Sequence, residues 1–218
     1  MNNKQKVIDL VYEKKIVAIF RGIDVSRVSK AANALYEGGI SLCEVTFNMK
    51  ERENGFQSTL DSIRAIVQGK GDRKLIVGAG TVLTVDQVVL AHDAGAEFII
   101  TPSINTEVIK CANELGMMTM PGGYSPTELE EAYEAGADFV KIFPASEAGP
   151  SYFKAVGGPL SHIPLVAVGG VNENNTRAFL ENGAVGFGIG GNLVDEKLIN
   201  ADRYTELTEL AKKFVASF

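Results

Sequence analysis

The chain has 218 residues, of which 45% are hydrophobic and 22% charged, the make-up of a folded globular protein rather than a disordered one. A net charge of −6 with no tryptophan and no basic run argues against a nucleic-acid partner. No stretch approaches the roughly 18 apolar residues a membrane span needs, and Met1–Leu10 carries Lys4 and Lys6 without the apolar run of a signal peptide. The length suits one domain, residues 1–218. Cys43 and Cys111 are too isolated for a disulfide framework or a zinc site, so both read as reduced core thiols in a cytoplasmic protein.

Along the chain, Lys4 to Lys14 predicts a helix that covers the lower end of the fold or packs beside it. Eight short apolar runs follow: Ile16–Phe20, Leu42–Phe47, Leu75–Val82, Phe98–Thr101, Met117–Pro121, Phe139–Phe143, Leu165–Val168 and Val185–Ile189. Each has the length and residue types of a strand. Helix signals lie between them. Thr84 with Gln87 suits a capping box, Ser125-Pro-Thr-Glu128 supplies a cap, a first-turn proline and an N3 carboxylate, and Asn172 is placed to cap a helix running to Asn182. Gly38, Gly95, Gly116, Gly136 and Gly183 mark helix ends, and Glu37-Gly-Gly39, Ala94-Gly-Ala96, Ala135-Gly-Ala137 and Asn182-Gly-Ala184 each lead into a strand. Repeated helix-glycine-strand units of this number predict an α/β fold, a (β/α)8 TIM barrel with an N-terminal helix. An open doubly wound sheet is the alternative, weakened by the lack of Gly-x-Gly-x-x-Gly after the first strand.

In such a barrel, chemistry belongs at the carboxyl ends of the strands. The unusual residues fall there: Arg21, Glu44 and Thr46, Thr81, Thr101-Pro102, Gly122-Gly123, Lys141, Gly169-Gly170 and Gly190-Gly191. Lys141 sits mid-run with Phe139 and Phe143 on its own face and Val140 and Ile142 on the other. Desolvation favours the neutral amine, a nucleophile that forms Schiff bases with ketones. The structural alternative is a lysine that snorkels to the strand end or pairs with a carboxylate. Glu44, in Leu42-Cys-Glu-Val-Thr-Phe47, reads either as that ion-pair partner, with Lys141 or Arg21, or as the proton shuttle of an imine cycle. Gly78-Ala-Gly-Thr81 leaves room for a ligand beside the Thr81 hydroxyl, or packs tightly inside the barrel. Gly169-Gly170 and Gly190-Gly191-Asn192, after the seventh and eighth strands, have the placement of a phosphate cup. His92 and His162 lack ligand-spaced partners, and no His, Asp or Glu cluster has metal spacing, so neither a metal nor another cofactor is expected. Met117, Met118 and Met120 read as core filler, and Glu128-Leu-Glu-Glu131 as a solvated helix face.

These residues in this order resemble the bacterial 2-keto-3-deoxy-6-phosphogluconate (KDPG) aldolase family, which includes 4-hydroxy-2-oxoglutarate (KHG) aldolases and a 6-phosphogalactonate branch. The resemblance runs from Val17-Ala-Ile-Phe-Arg-Gly22 through Glu44-Val-Thr46, Val77-Gly-Ala-Gly-Thr-Val82, Thr101-Pro-Ser103, Met120-Pro-Gly122, Val140-Lys-Ile-Phe-Pro144, Gly149-Pro150 and Gly169-Gly-Val171 to Ile189-Gly-Gly191. It implies a metal-independent class I aldolase, a homotrimer, acting on a small phosphorylated keto sugar acid to give pyruvate and glyceraldehyde 3-phosphate. By the same resemblance Lys141 is the Schiff-base lysine and Glu44 the acid/base. Thr81 and the backbone near Pro102 hold the pyruvyl carboxylate, and Arg21 reaches the substrate's oxygens or its phosphate. Gly169, Gly170, Gly190, Gly191 and Asn192 form the phosphate loops. The chain departs from the pattern at three places. Asn48 stands where many members carry an arginine, Ala167-Val-Gly-Gly170 replaces Pro-Thr-Gly-Gly, and Asn192 replaces a serine. Asn48, Val168 and Gly149-Pro150 followed by Tyr152 resemble the phosphogalactonate branch, whose substrate differs in configuration at C4.

Overall fold

The computed structural model describes residues 3–218. A parallel sheet closes into a barrel with strand order β5-β4-β3-β2-β1-β9-β8-β7-β6. Its strands are β1 Ile16–Phe20, β2 Leu42–Thr46, β3 Ile76–Gly80, β4 Phe98–Ile100, β5 Met118–Met120, β6 Gly122–Gly123, β7 Val140–Ile142, β8 Leu165–Val168 and β9 Ala184–Ile189. Most are shorter than the apolar runs that predict them, because the run ends turn out of the sheet. Gly122-Gly123, expected only to follow the fifth strand, forms a strand of its own against Lys141 and Ile142. Pro121 explains the split. It has no N–H to donate, so one stave breaks there into β5, paired with β4, and β6, paired with β7. Counting that stave once leaves the eight of a (β/α)8 barrel.

Alternation along each strand divides the core in two. Outward positions such as Ala18, Cys43, Val45, Val77, Ala79, Val140, Ile142 and Ala167 pack under the helices. Inward positions Val17, Leu42, Phe98, Met118, Phe139 and Val166 form a separate interior cluster. The first helix, α1 (Asn3–Lys14), joins that interior cluster through Val7 and Val11, which places it across the barrel's lower end as the sequence predicts. Tyr12 lies 5.2 Å, centroid to centroid, from Phe139, and Lys4 Nζ pairs with Asp138 Oδ2 at 3.0 Å beneath the same strand.

The remaining helices surround the barrel: α2 (Val25–Glu37), α3 (Gln57–Gly69), α4 (Val85–Asp93), α5 (Thr106–Glu114), α6 (Pro126–Glu134), α7 (Ala145–Ala148), α8 (Pro150–Gly157), α9 (Thr176–Glu181), α10 (Glu196–Asn200) and α11 (Tyr204–Val215). The capping boxes at Thr84–Gln87 and Ser125–Glu128 both form. Asn172 does not cap α9. Its backbone carbonyl accepts from Asn175 and Thr176 in a turn, which delays the helix start to Thr176. At the end of α2 it is Gly39, at φ 100°, that takes the left-handed conformation. Gly38 keeps a right-handed backbone and is small for another reason: a Cβ there would lie 2.4 Å from that of Ala211. Cys43 is buried as expected, but Cys111 lies on α5 at the edge of the core, only half-buried; both are free thiols. No helix among the described residues is long and apolar enough to cross a membrane.

Candidate active site

A cavity of about 450 Å³ opens at the carboxyl end of the strands. Ten residues singled out from the sequence line it: Arg21, Glu44, Thr81, Pro102, Lys141, Val168, Gly169, Gly170, Gly190, Gly191, with Asn192 as an eleventh. Asn48 is the exception. It caps a 3₁₀ segment, Met49–Asn54, accepting from the Lys50 N–H and donating to Glu51, and faces an adjoining groove rather than this cavity.

Lys141 comes inward on β7 above Phe139 and is 7% exposed. Burial biases its amine toward the neutral form; the Glu44 charge opposes that shift and the Arg21 charge adds to it. Phe143 does not share the burial expected of the whole run. The chain leaves the sheet at Ile142, so the Phe143 ring stands 49% exposed at the mouth, its centroid 5.6 Å from Lys141 Nζ.

Glu44 reaches inward from β2 and is 2% exposed. Its Oε2 is buried with no hydrogen-bond partner among the described residues. Burial raises its pKa, against the lowering influence of Lys141 and then Arg21. No ion pair within 4.0 Å joins Glu44 to either cation among the described residues, so the static-pair alternative does not describe this geometry. A neutral-leaning amine and a neutral-leaning carboxylic acid in one cavity are suited to proton transfer and nucleophilic attack.

Around this pair, Thr81 sits at φ 57°, a left-handed conformation that a β-branched residue adopts only under constraint. Its hydroxyl faces Arg21 Nη2 at a long 3.5 Å. Pro102 follows β4, and its carbonyl would lie 2.5 Å from a Cβ on Gly122, so the bare Gly122 lets that loop tuck against the rim. Gly169 and Gly170 both have positive φ, 92° and 74°. The Asn192 amide, considered as a phosphate donor, donates to the Val171 carbonyl at 2.9 Å and so ties the last loop to the one after β8.

Ile19, Phe143, Val171, Gly188 and Ile189 also line the cavity and were not singled out as site residues. Ile19 was findable by period two from inward-facing Val17. Val171, Gly188 and Ile189 carry no chemical signal of their own.

A family model described as "KDPG and KHG aldolase" matches residues 7–210. The chain belongs to this aldolase family. It is similar to the 2-dehydro-3-deoxy-6-phosphogalactonate aldolase of Escherichia coli, 40% identical over 179 residues that cover 82% of this chain and 83% of the relative. The 2-dehydro-3-deoxy-phosphogluconate aldolase of Haemophilus influenzae is 31% identical over 97% of this chain and 96% of its own. Among solved structures, the KDPG aldolase of Legionella pneumophila, with pyruvate captured at low pH as a covalent carbinolamine intermediate, matches with a TM-score of 0.82 at 25% identity. That match covers 94% of this aldolase-family chain and 96% of the Legionella one.

Proposed function

We propose that this member of the family is a class I aldolase in which Lys141 forms the Schiff base and Glu44 moves the protons. The observation that carries the reading is the meeting, in one cavity, of a buried amine biased toward neutrality and a buried carboxyl group whose Oε2 has no hydrogen-bond partner among the described residues. The substrate is a 2-keto-3-deoxy-6-phospho sugar acid. Neutral Lys141 Nζ attacks the C2 ketone, and the ammonium proton passes to the new alkoxide to give the carbinolamine. Protonated Glu44 donates to the carbinolamine hydroxyl, which leaves as water, and an iminium forms. Glu44, now a carboxylate, takes the C4 hydroxyl proton as the C3–C4 bond breaks, and the bonding pair flows into the iminium to give an enamine. D-glyceraldehyde 3-phosphate departs. Glu44 returns the proton to C3, and hydrolysis of the resulting imine releases pyruvate and the free amine.

Thr81, Arg21 and the backbone at Pro102 receive the carboxylate end of the substrate, and the loops at Gly169–Gly170 and Gly190–Asn192 receive the phosphate. Val168, on the cavity wall, favours the galactonate configuration at C4, in line with the likeness to the Escherichia coli enzyme. A second reading, cleavage of 4-hydroxy-2-oxoglutarate to pyruvate and glyoxylate, is favoured by the engagement of the Asn192 amide with Val171. The protein would act as a cytoplasmic homotrimer of single-domain subunits, residues 1–218.

The test is incubation with pyruvate and sodium borohydride followed by peptide mass analysis. One reduced pyruvyl adduct on Lys141 is expected, with none in Lys141→Ala, which should also lose turnover. Glu44→Gln should slow turnover by about 10²–10⁴-fold. Binding of pyruvate without any adduct would instead make this a non-catalytic phosphate-ligand barrel and refute the aldolase reading. Comparing kcat/KM for the two C4 epimers and for 4-hydroxy-2-oxoglutarate then fixes the substrate.

A further inference from the structure

The interior face of β3 is nearly bare. Val77 and Ala79 pack outward under the helices, so the inward positions are Ile76, Gly78 and Gly80. Neither Gly78 nor Gly80 has a positive φ, so backbone conformation does not call for glycine at either place. Space does. A Cβ on Gly78 would lie 2.2 Å from the Phe98 ring, which fills that position. A Cβ on Gly80 would lie 1.5 Å from Glu44 Oε1, 2.3 Å from its Cδ and 2.6 Å from its Cγ. All three of its nearest neighbours would therefore be Glu44 atoms. Glu44 is opposite Gly78 in the ladder and Thr46 is opposite Gly80, so the Glu44 side chain leans one inward position toward the carboxyl end of the sheet. With Phe98 occupying the lower position, Gly80 is the space that remains, and it lies at the cavity end. Among the described residues no hydrogen bond to Oε2 shares the task of orienting the carboxyl group.

We propose that Gly80 is a positioning residue for the acid/base: the volume of its missing side chain is the niche that seats the Glu44 carboxyl group beside Lys141. The room that Gly78-Ala-Gly-Thr81 creates thus belongs to two of the protein's own side chains, Phe98 and Glu44, rather than to the ligand. The proposal rests on the aldolase reading above, and its test separates the two.

The experiment is a double-mutant cycle of Gly80→Ala with Glu44→Ala, read by kcat, KM and melting temperature. Gly80→Ala alone should lower kcat by about 10²-fold or more while KM moves by less than about 3-fold, since the lost function is proton transfer rather than binding. In the Glu44→Ala background, where the clashing atoms are gone, Gly80→Ala should leave both the residual kcat and the melting temperature near those of Glu44→Ala. Parent-like turnover by Gly80→Ala, or an equal loss in both backgrounds, overturns the proposal. Should Gly80→Ala fail to fold, a folded double variant supports the shared niche and an unfolded one overturns it. Borohydride trapping of pyruvate by the parent protein is run alongside. Its failure would remove the aldolase reading, and the melting-temperature cycle would still decide whether Gly80 and Glu44 occupy one space.

Discussion

The α1 helix closes the barrel beneath Lys141, and the double substitution Val7→Ala with Val11→Ala tests how firmly it does so. The two valines lie four residues apart on one helix face, are 0% and 1% exposed, and join the interior cluster that includes Phe139, two residues before Lys141. Each change removes two methyl groups, or about 1.6 kcal/mol of transfer free energy at roughly 0.8 kcal/mol per buried carbon, and so about 3 kcal/mol for the pair. The cavity left behind adds to this, giving an expected loss of about 3–5 kcal/mol. For a chain of this length that is a fall in melting temperature on the order of 10 °C. Urea unfolding at pH 7 measures the loss, with Gln5→Ala, at an exposed position on the same helix, as a control expected to stay within about 0.5 kcal/mol. Because water entering from below would reach the space under Lys141, the double variant should also weaken the desolvation that favours the neutral amine. Its pyruvate trapping should then need a higher pH than the parent's. A loss below about 1 kcal/mol, with trapping unchanged, would mean that α1 is not seated in the barrel and that Lys141 owes nothing to it.

Two further predictions concern the cavity itself. Burial raises the pKa of Glu44 above its ordinary value of 4.5, so the folded state holds this proton more tightly than the unfolded state does. Stability from this group is therefore full below pH 4.5 and is lost as pH rises through the raised value. Urea unfolding from pH 4 to 9 should show Glu44→Gln gaining on the parent as pH rises and then levelling off; a flat or opposite difference would refute the raised pKa. Val168→Thr, which adds a hydroxyl at a position lining the cavity, should shift the kcat/KM ratio toward the gluconate epimer by about 10–100-fold, and an unchanged ratio would remove Val168 from substrate selection.

The parts of the fold legible in the sequence are those governed by local rules. Ile16–Phe20 and Leu165–Val168 coincide with strands because each is a short apolar run bounded by residues that leave the sheet. The Thr84 and Ser125 caps are legible because their partners stand three residues away. Asn172 misleads because Asn175 stands three residues on, and the choice between them rests on a turn in which the Asn172 carbonyl is already committed. In the site, the convergence of Lys141, Glu44, Arg21 and the two glycine pairs follows from strand ends alone. Asn48 is different: whether it faces the cavity depends on how the chain turns after β2, and its cap of the 3₁₀ segment turns it away. The service of Gly80 to Glu44 was equally hidden. It is an interaction between side chains on neighbouring strands, and one partner contributes only empty volume.

On the proposed reading, a chain of net charge −6 has to attract a substrate bearing both a carboxylate and a phosphate locally, and the cavity walls contain two basic side chains, Arg21 and Lys141. The chemistry asks opposite things of them. An attacking amine has to shed its proton, and burial drives Lys141 that way, which removes its charge from the task of binding anions. Arg21, exposed at the rim, would on the proposed reading meet the substrate's anionic groups, and its field pushes Lys141 further toward neutrality. The phosphate end would then be left to groups that do not titrate at all. The Gly170 and Gly191 N–H groups make no backbone hydrogen bond among the described residues, and they flank the same cavity. On the proposed reading, dividing anion binding between Arg21 and backbone dipoles would free Lys141 and Glu44 to change protonation state through the cycle without loosening the substrate. That division would account for a buried lysine deep in the barrel and an exposed arginine at its rim.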